Sequence, residues 1–175
     1  MRILALTVLT LTTFASVPSF AQDSKPSDNK PGEVYGGIGY SYYDVGGDVY
    51  NGAAVARIGY QVTPKVAIEA EGGIGVKDDE LFGVTIETRG TLGAYAVITA
   101  PVDEHLSVIF RAGYQHIWIE GALGSVKAQD DDGSLGIGIG IQHMFTDSSG
   151  VRADYTRYTK GSGTNSYAVN YIQKF

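Results

Sequence analysis

The 175-residue chain contains no cysteine, one tryptophan, two methionines and three histidines. Without cysteine there is no disulfide framework, no thiolate zinc site and no thiol nucleophile. Basic residues are scarce too: 13 Lys and Arg stand against 19 Asp and Glu, a net charge of −6. That deficit excludes the clustered basic face that nucleic acid requires, and no nucleic-acid partner is expected. From Val34 onward no run of roughly 18 apolar residues occurs, so no membrane-spanning helix can be built there. What is abundant is glycine, with 24 residues, and tyrosine, with 12. Glycine weakens helices and tyrosine favours strands, so the composition leans all-β. Apolar residues make up 43% of the chain, which is too many for disorder by composition.

The first segment is an address. Met1-Arg2 gives a short positive start, and residues 3–17 are almost wholly apolar or threonine. Ser19 and Ala21 are small, and Gln22 follows. This layout predicts a signal peptide over 1–21, cleaved after Ala21. With Arg2 removed, 12 basic residues face 19 acidic ones, a net charge of −7. Residues 22–33 (QDSKPSDNKPGE) hold no apolar side chain and read as a mobile polar tail.

From residue 34 the chain alternates with period two in segments cut by turn clusters. Eight strands are expected: 34–43, 52–62, 66–76, 84–99, 105–119, 134–145, 151–159 and 166–175. The segment 134–145 is the cleanest, with Leu135, Ile137, Ile139 and Ile141 alternating with Gly136, Gly138, Gly140 and Gln142. Most connections alternate short and long, the longest loop being 120–133. An up-and-down antiparallel meander of eight strands closes into a barrel with no free edge, here over residues 34–175.

The barrel's solvent depends on which face turns inward. The less apolar face collects Arg57, Arg89, Arg111 and Arg152 with Glu69, Glu71, Glu87 and Asp154. These charges sum to zero, and the face is rich in glycine and almost free of lysine. Compensated Arg–carboxylate clusters among small residues suit a narrow lumen better than a solvated surface. The aromatics segregate to strand ends. Tyr60, Phe145, Tyr171 and Phe175 lie next to short turns or the terminus, and Tyr40, Tyr42, Trp118 and Tyr167 lie next to long loops. Two such rings are the girdles of a transmembrane barrel. A soluble lipocalin-like periplasmic binder is the alternative, with the faces exchanged.

A signal peptide, a polar tail, eight alternating strands and a terminal aromatic together resemble the small outer-membrane β-barrel family of Gram-negative bacteria. That group holds the OmpA-type transmembrane domains, opacity-like proteins and "porin family" barrels. The stretch 167–175 (YAVNYIQKF) is similar to the C-terminal signal that the family's insertion machinery reads, carried here by Tyr171 and Phe175, with Gln173 departing from the alternation. The resemblance implies an integral protein of the outer membrane, its long loops outside and its short turns in the periplasm. With the sequence ending at Phe175, the peptidoglycan-binding domain that follows the barrel in full-length OmpA proteins is not expected, and anchoring to the cell wall is not implied.

Eight strands enclose a lumen just wide enough for side chains to fill, so a plugged barrel is expected rather than a solute pore. Structural or surface-interaction roles through the loops follow, with no enzyme activity and no cofactor. His105-Leu106-Ser107 resembles the His-x-Ser of lipid A deacylases, which makes a lipid A-modifying enzyme the second alternative. The residues that follow, Val108-Ile109-Phe110, depart from that motif, and the position lies at the wrong rim for an outer-leaflet substrate. His116 and His143 are isolated, and the three histidines offer no metal-ligand spacing. The loops carry Asp44 and Asp48, Asp78-Asp79-Glu80 and Asp130-Asp131-Asp132. No calcium-loop spacing appears among them, though divalent cations could bridge them to lipopolysaccharide phosphates. The Gly-x-Gly runs at 36–39 and 136–140 open no helix, so they bind no nucleotide. The expected partners are outer-membrane lipid, lipopolysaccharide and the insertion machinery, with the chain as a monomer.

Overall fold

The structure is a computed structural model. It describes residues 29–46, 49–77, 79–81, 84–123, 126–159 and 164–175, with the side chains of 45–50, 77–89 and 119–132 left out of the description. The expected signal peptide over 1–21 and most of the expected tail lie outside the described residues.

Nine strands follow one another: β1 (Val34–Gly46), β2 (Val49–Thr63), β3 (Val66–Lys77), β4 (Asp79–Leu81), β5 (Val84–Pro101), β6 (Leu106–Leu123), β7 (Val126–Met144), β8 (Ser149–Tyr158) and β9 (Asn165–Lys174). Every pairing is antiparallel, and no helix occurs among the described residues. The first and last strands meet, from Tyr35 opposite Lys174 to Asp44 opposite Asn165. β3 pairs with β5 from Val66 opposite Ile98 to Gly73 opposite Thr91. The sheet is thereby a closed barrel of eight strands. The ninth strand, β4, is a three-residue addition to β5 within the 77–83 connection.

The short turns share one device. Thr63 Oγ1 accepts hydrogen bonds from the Lys65 and Val66 amides at 3.3 and 3.0 Å. Asp103 Oδ1 accepts from His105 and Leu106 at 2.8 and 2.7 Å. Thr146 Oγ1 accepts from Ser148 and Ser149 at 3.3 and 3.0 Å. Each side chain replaces a backbone acceptor that the tight reversal removes. The carboxyl of Asp103, fully exposed, is held below the usual aspartate range by those two amides.

Besides β4 and the expected 44–51 loop, which is mostly taken up by the longer β1 and β2, the structure departs from the expected layout in three further places. Residues 29–33, expected within a mobile tail, form a turn bound to the barrel. Glu33 N donates to Lys30 O at 3.0 Å, Gly32 adopts φ 87° behind Pro31, and Gly32 N donates to Gln61 O at 2.8 Å. Pro at the second and Gly at the third turn position fit that geometry. Second, the expected loop 120–133 is mostly ladder, with β6 and β7 paired out to Leu123 opposite Val126, so that Asp130, Asp131 and Asp132 stand on a strand. Backbone pairing continues there without an alternating side-chain pattern, because neither face of that stretch has to meet an apolar phase. Third, a bulge in β5 leaves Arg89 unpaired between Thr88 and Gly90. The extra residue shifts the alternation, so Glu87, opposite Glu120, falls on the opposite register parity from Thr91.

Candidate functional site

The barrel interior follows from one register rule. From Ala53 onward the buried positions of β2 are Ala53, Val55, Arg57, Gly59 and Gln61, while Ala56, Ile58, Tyr60 and Val62 face out. The other strands repeat this alternation. Ile38, Ile68, Leu92, Ile137, Ile139 and Val169 are all exposed. The charged residues are inside and the large aliphatic residues outside, the inverse of a soluble barrel.

At mid-height three arginines meet three carboxylates, all buried. Arg57 of β2 makes a two-point bond to Asp154 of β8, with Nη1 to Oδ2 at 2.8 Å and Nη2 to Oδ1 at 3.0 Å. Its Nε lies 2.6 Å from Glu71 Oε2. Arg111 of β6 bridges the same two acids, 3.0 Å to Asp154 and 3.1 Å to Glu71. Arg152 of β8 pairs with Glu69 and with Gln142 Oε1, at 3.0 and 2.8 Å to the latter. The Tyr35 hydroxyl donates to Glu69 at 2.6 Å. The guanidinium of Arg111 also lies 3.7 Å from the centre of the Tyr95 ring. Planar guanidinium groups suit such forked pairing, and each charge finds its opposite where water is excluded.

Long side chains fit here because glycines lie beside them in register. Arg57 stands next to Gly37, Glu69 next to Gly59, Glu71 next to Gly93, Arg111 next to Gly138 and Asp154 next to Gly140. The tyrosine rings use the same space. A Cβ on Gly59 would collide with the Tyr35 ring, and one on Gly136 would come within 2.7 Å of the Tyr158 ring.

Two apolar layers flank the charges. Tyr35, Ala67, Tyr95, Val97, Ile109 and Ile172 form one, toward the short turns. Tyr43, Ala53, Val55 and Tyr158 form the other, toward the long hairpins. The Tyr95 and Tyr158 hydroxyls join the two layers at 2.9 Å. These interior tyrosines and Ile109, Val97 and Ile172 are absent from the sequence-based site. Their signal was parity with Arg57 and its neighbours, hidden because aromatic and aliphatic types suggest the outer face.

Of the eight charges expected in the lumen, the structure brings six together. The side chains of Glu87 and Arg89 lie outside the described ones, and the bulge breaks their register with the rest. Among the expected girdle residues, Tyr40, Tyr60, Phe145, Tyr167, Tyr171 and Phe175 are exposed on the outer face, and Tyr42 and Trp118 are half-buried. Trp118 packs edge-on against His116 at 4.6 Å between ring centres, and Tyr155 lies 5.3 Å from Tyr167. Gln173, the exception in the terminal alternation, accepts from Ser149 and from the Tyr171 hydroxyl, each at 2.9 Å. It sits at the rim, where a polar side chain has partners. His105 is exposed in its turn with its ring 6.2 Å from His143, while Ser107 stands opposite Gln142. Among the described residues no group of three or more His, Asp or Glu side chains could hold a metal ion.

A closed antiparallel barrel with an aliphatic exterior and a charged, paired interior defines a transmembrane β-barrel. The family described as "Outer membrane protein beta-barrel domain" matches residues 7–173, and the chain belongs to it. It is therefore a protein of the outer membrane. Among solved structures it is similar to the N-terminal β-barrel domain of Pseudomonas aeruginosa OprF, at TM-score 0.67 and 15% identity, covering 84% of this chain and 100% of that one. It is similar to Ail, the attachment invasion locus protein of Yersinia pestis, at TM-score 0.60 and 16% identity over 82% and 99% of the two chains. Ail has also been solved with the heparin analogue sucrose octasulfate. Neisserial surface protein A gives TM-score 0.62 at 13% identity over 82% and 96%. At these identities the likeness is one of fold. None of the curated proteins compared matches the chain.

Proposed function

We propose that this protein is a closed outer-membrane scaffold that acts through its extracellular hairpins, with an interior sealed to solutes. The observation that carries the reading is the network of Arg57, Arg111 and Arg152 with Glu69, Glu71 and Asp154, which ties β2, β3, β6 and β8 across the lumen. Apolar layers above and below it, and tyrosine rings seated on glycines, support the same reading. The long hairpins are placed outside and the short turns in the periplasm, with Tyr171 and Phe175 as the signal read by the insertion machinery. Lipid and lipopolysaccharide are the surroundings of the monomer, and it carries no cofactor and catalyses no reaction. The position of His105 and Ser107 at the periplasmic rim argues against lipid A chemistry. Ail accommodates a polyanion; the acidic hairpins of this chain favour cationic partners instead.

The test is conductance in planar bilayers of the refolded, heat-modifiable protein. The expected result is no steady conductance of solute size. Stable pore openings of the native chain would overturn the sealed interior. Lipid A from a deletion strain, compared by mass spectrometry, is expected to be unchanged, and a difference restored by the gene would reinstate the enzyme.

A further inference from the structure

The three histidines are scattered along the chain, yet the antiparallel ladder brings two of them side by side. His105 is the residue before β6, and His143 is the last but one of β7. Leu106 lies opposite His143, and Met144 N donates to His105 O at 2.8 Å. The Asp103 carboxylate steadies the turn from the other side by accepting from the His105 amide at 2.8 Å. The backbone positions of the pair are thereby set by hydrogen bonds. The two rings themselves are exposed, with their centres 6.2 Å apart and their planes at 68°.

That spacing has a chemical meaning. An imidazole nitrogen binds a first-row dication at roughly 2.0–2.1 Å, so two rings sharing one ion have centres about 5–6.5 Å apart between tetrahedral and linear angles. Tilted rings can each turn one nitrogen toward a common point, and exposure leaves that rotation free. Neutral imidazole suits Cu2+, Zn2+ and Ni2+, whereas Mg2+ and Ca2+ take oxygen ligands. The Asp103 carboxylate is within electrostatic reach of both rings, and it favours a cation there while keeping its two turn hydrogen bonds. We infer that His105 and His143 form a capture site for a borderline transition-metal dication, Cu2+ ahead of Zn2+ and Ni2+, with solvent completing the coordination shell. Two protein ligands, short of a closed cage, leave the ion exchangeable, a captured solute and not a resident cofactor. His116 packs against Trp118 at the other rim and has no part in the site. The inference rests on the proposed orientation only in placing the site in the periplasm; the pair exists whichever way the barrel points.

The test uses the mature, untagged protein folded in detergent, with folding verified by its gel shift. Cu2+ and Zn2+ are titrated separately by calorimetry in a buffer that does not chelate them. One dication per barrel is expected, with Cu2+ the tighter. His105→Ala and His143→Ala are each expected to weaken Cu2+ binding at least about tenfold, a loss that even an outer-shell partner of a metal produces. His116→Ala is expected to leave it unchanged. Electron paramagnetic resonance of the Cu2+ form counts nitrogen ligands on the native chain without any substitution, and two are expected. A single nitrogen in that spectrum would overturn the proposal, as would undiminished affinity in either of the first two variants, equal loss in His116→Ala, or no saturable binding. Orientation is tested separately by Asp147→Cys, in the exposed neighbouring turn of this cysteine-free chain, with a maleimide too large to cross the outer membrane of intact cells. No labelling is expected. Labelling would overturn the periplasmic placement and leave the metal titration to decide the site.

Discussion

Arg57 and Asp154, 97 positions apart in the chain, are joined by two parallel hydrogen bonds of 2.8 and 3.0 Å through the middle of the barrel. One comes from the second strand and the other from the eighth, so the pair can form only when the sheet has curled round.

Replacing Arg57 by alanine leaves Glu71 and Asp154, both buried, with Arg111 as their shared cation. Removing one partner of a buried pair costs about 3–5 kcal/mol. The midpoint of urea unfolding, followed by loss of the fast-migrating gel band, is expected to fall accordingly. The double variant R57M/D154M is expected to recover part of the loss, and a double variant less stable than Arg57→Ala would show that Asp154 is not left an uncompensated charge when Arg57 is removed.

Glycine substitutions divide by what lies beside them. A Cβ on Gly113 would strike the Ala94 carbonyl and come within 2.7 Å of Tyr95, whereas one on Gly72 would meet nothing closer than 3.9 Å. Gly113→Ala is expected to cost about 1–3 kcal/mol, the usual penalty of overpacking. Gly72→Ala is expected to change the unfolding midpoint little. Equal effects from the two would refute the packing account of the interior.

On the outer face, Ile139→Arg places a charge against lipid. The expected cost is about 2–4 kcal/mol if the position lies near the midplane. Folding yield into vesicles reads this directly. An unchanged yield would place Ile139 away from the hydrocarbon.

The Asp103 carboxylate accepts two backbone hydrogen bonds and its titration is displaced downward. A carboxyl with a lowered folded-state pKa supports the turn above its unfolded pKa and loses that support as pH falls through the folded one. Amide exchange at His105 and Leu106 is expected to accelerate as pH drops below the ordinary aspartate range, after correction for intrinsic rates. Asp103→Ala is expected to abolish that pH dependence.

Among the described residues Phe175 is the most exposed of the large apolar ones, at 80%, and its amide donates to Val34 O at 2.9 Å. Deleting it removes little interior packing. Refolding in detergent is expected to proceed, while the amount of folded protein in the outer membrane of cells falls sharply. Equal cellular assembly would show that Tyr171 and its neighbours suffice as the insertion signal.

Much of this architecture was readable from period-two alternation. The faces of β2, β3, β6 and β7 follow from Ile58, Ile68, Phe110 and Ile139 against Arg57, Glu69, Arg111 and Gly138, because a strand that separates two phases must sort its residues by solvent. The alternation stops informing where only one phase is present. That is why the β6–β7 extension through Asp130–Asp132 reads as loop, and why the bulge at Arg89 passes unseen. The tyrosine layers were illegible for another reason. Tyr35 and Tyr158 share the type of the rim residues, and only a count of register places them over Gly59 and Gly136.

The seam between β1 and β9 has a consequence for biosynthesis. A strand near the start of the chain and the strand at its end are each other's neighbours over ten register positions. A ribosome that has delivered everything except β9 has delivered a ribbon with two raw borders, and every nonsense codon before that strand yields the same. Completion is therefore a single event late in the life of the polypeptide, and the cell needs a means of keeping the ribbon apart from other ribbons until then. Cutting the ring elsewhere and joining the chain at Glu33 and Lys174, whose charged tips already sit 3.7 Å apart, should move that late event to a different pair of strands.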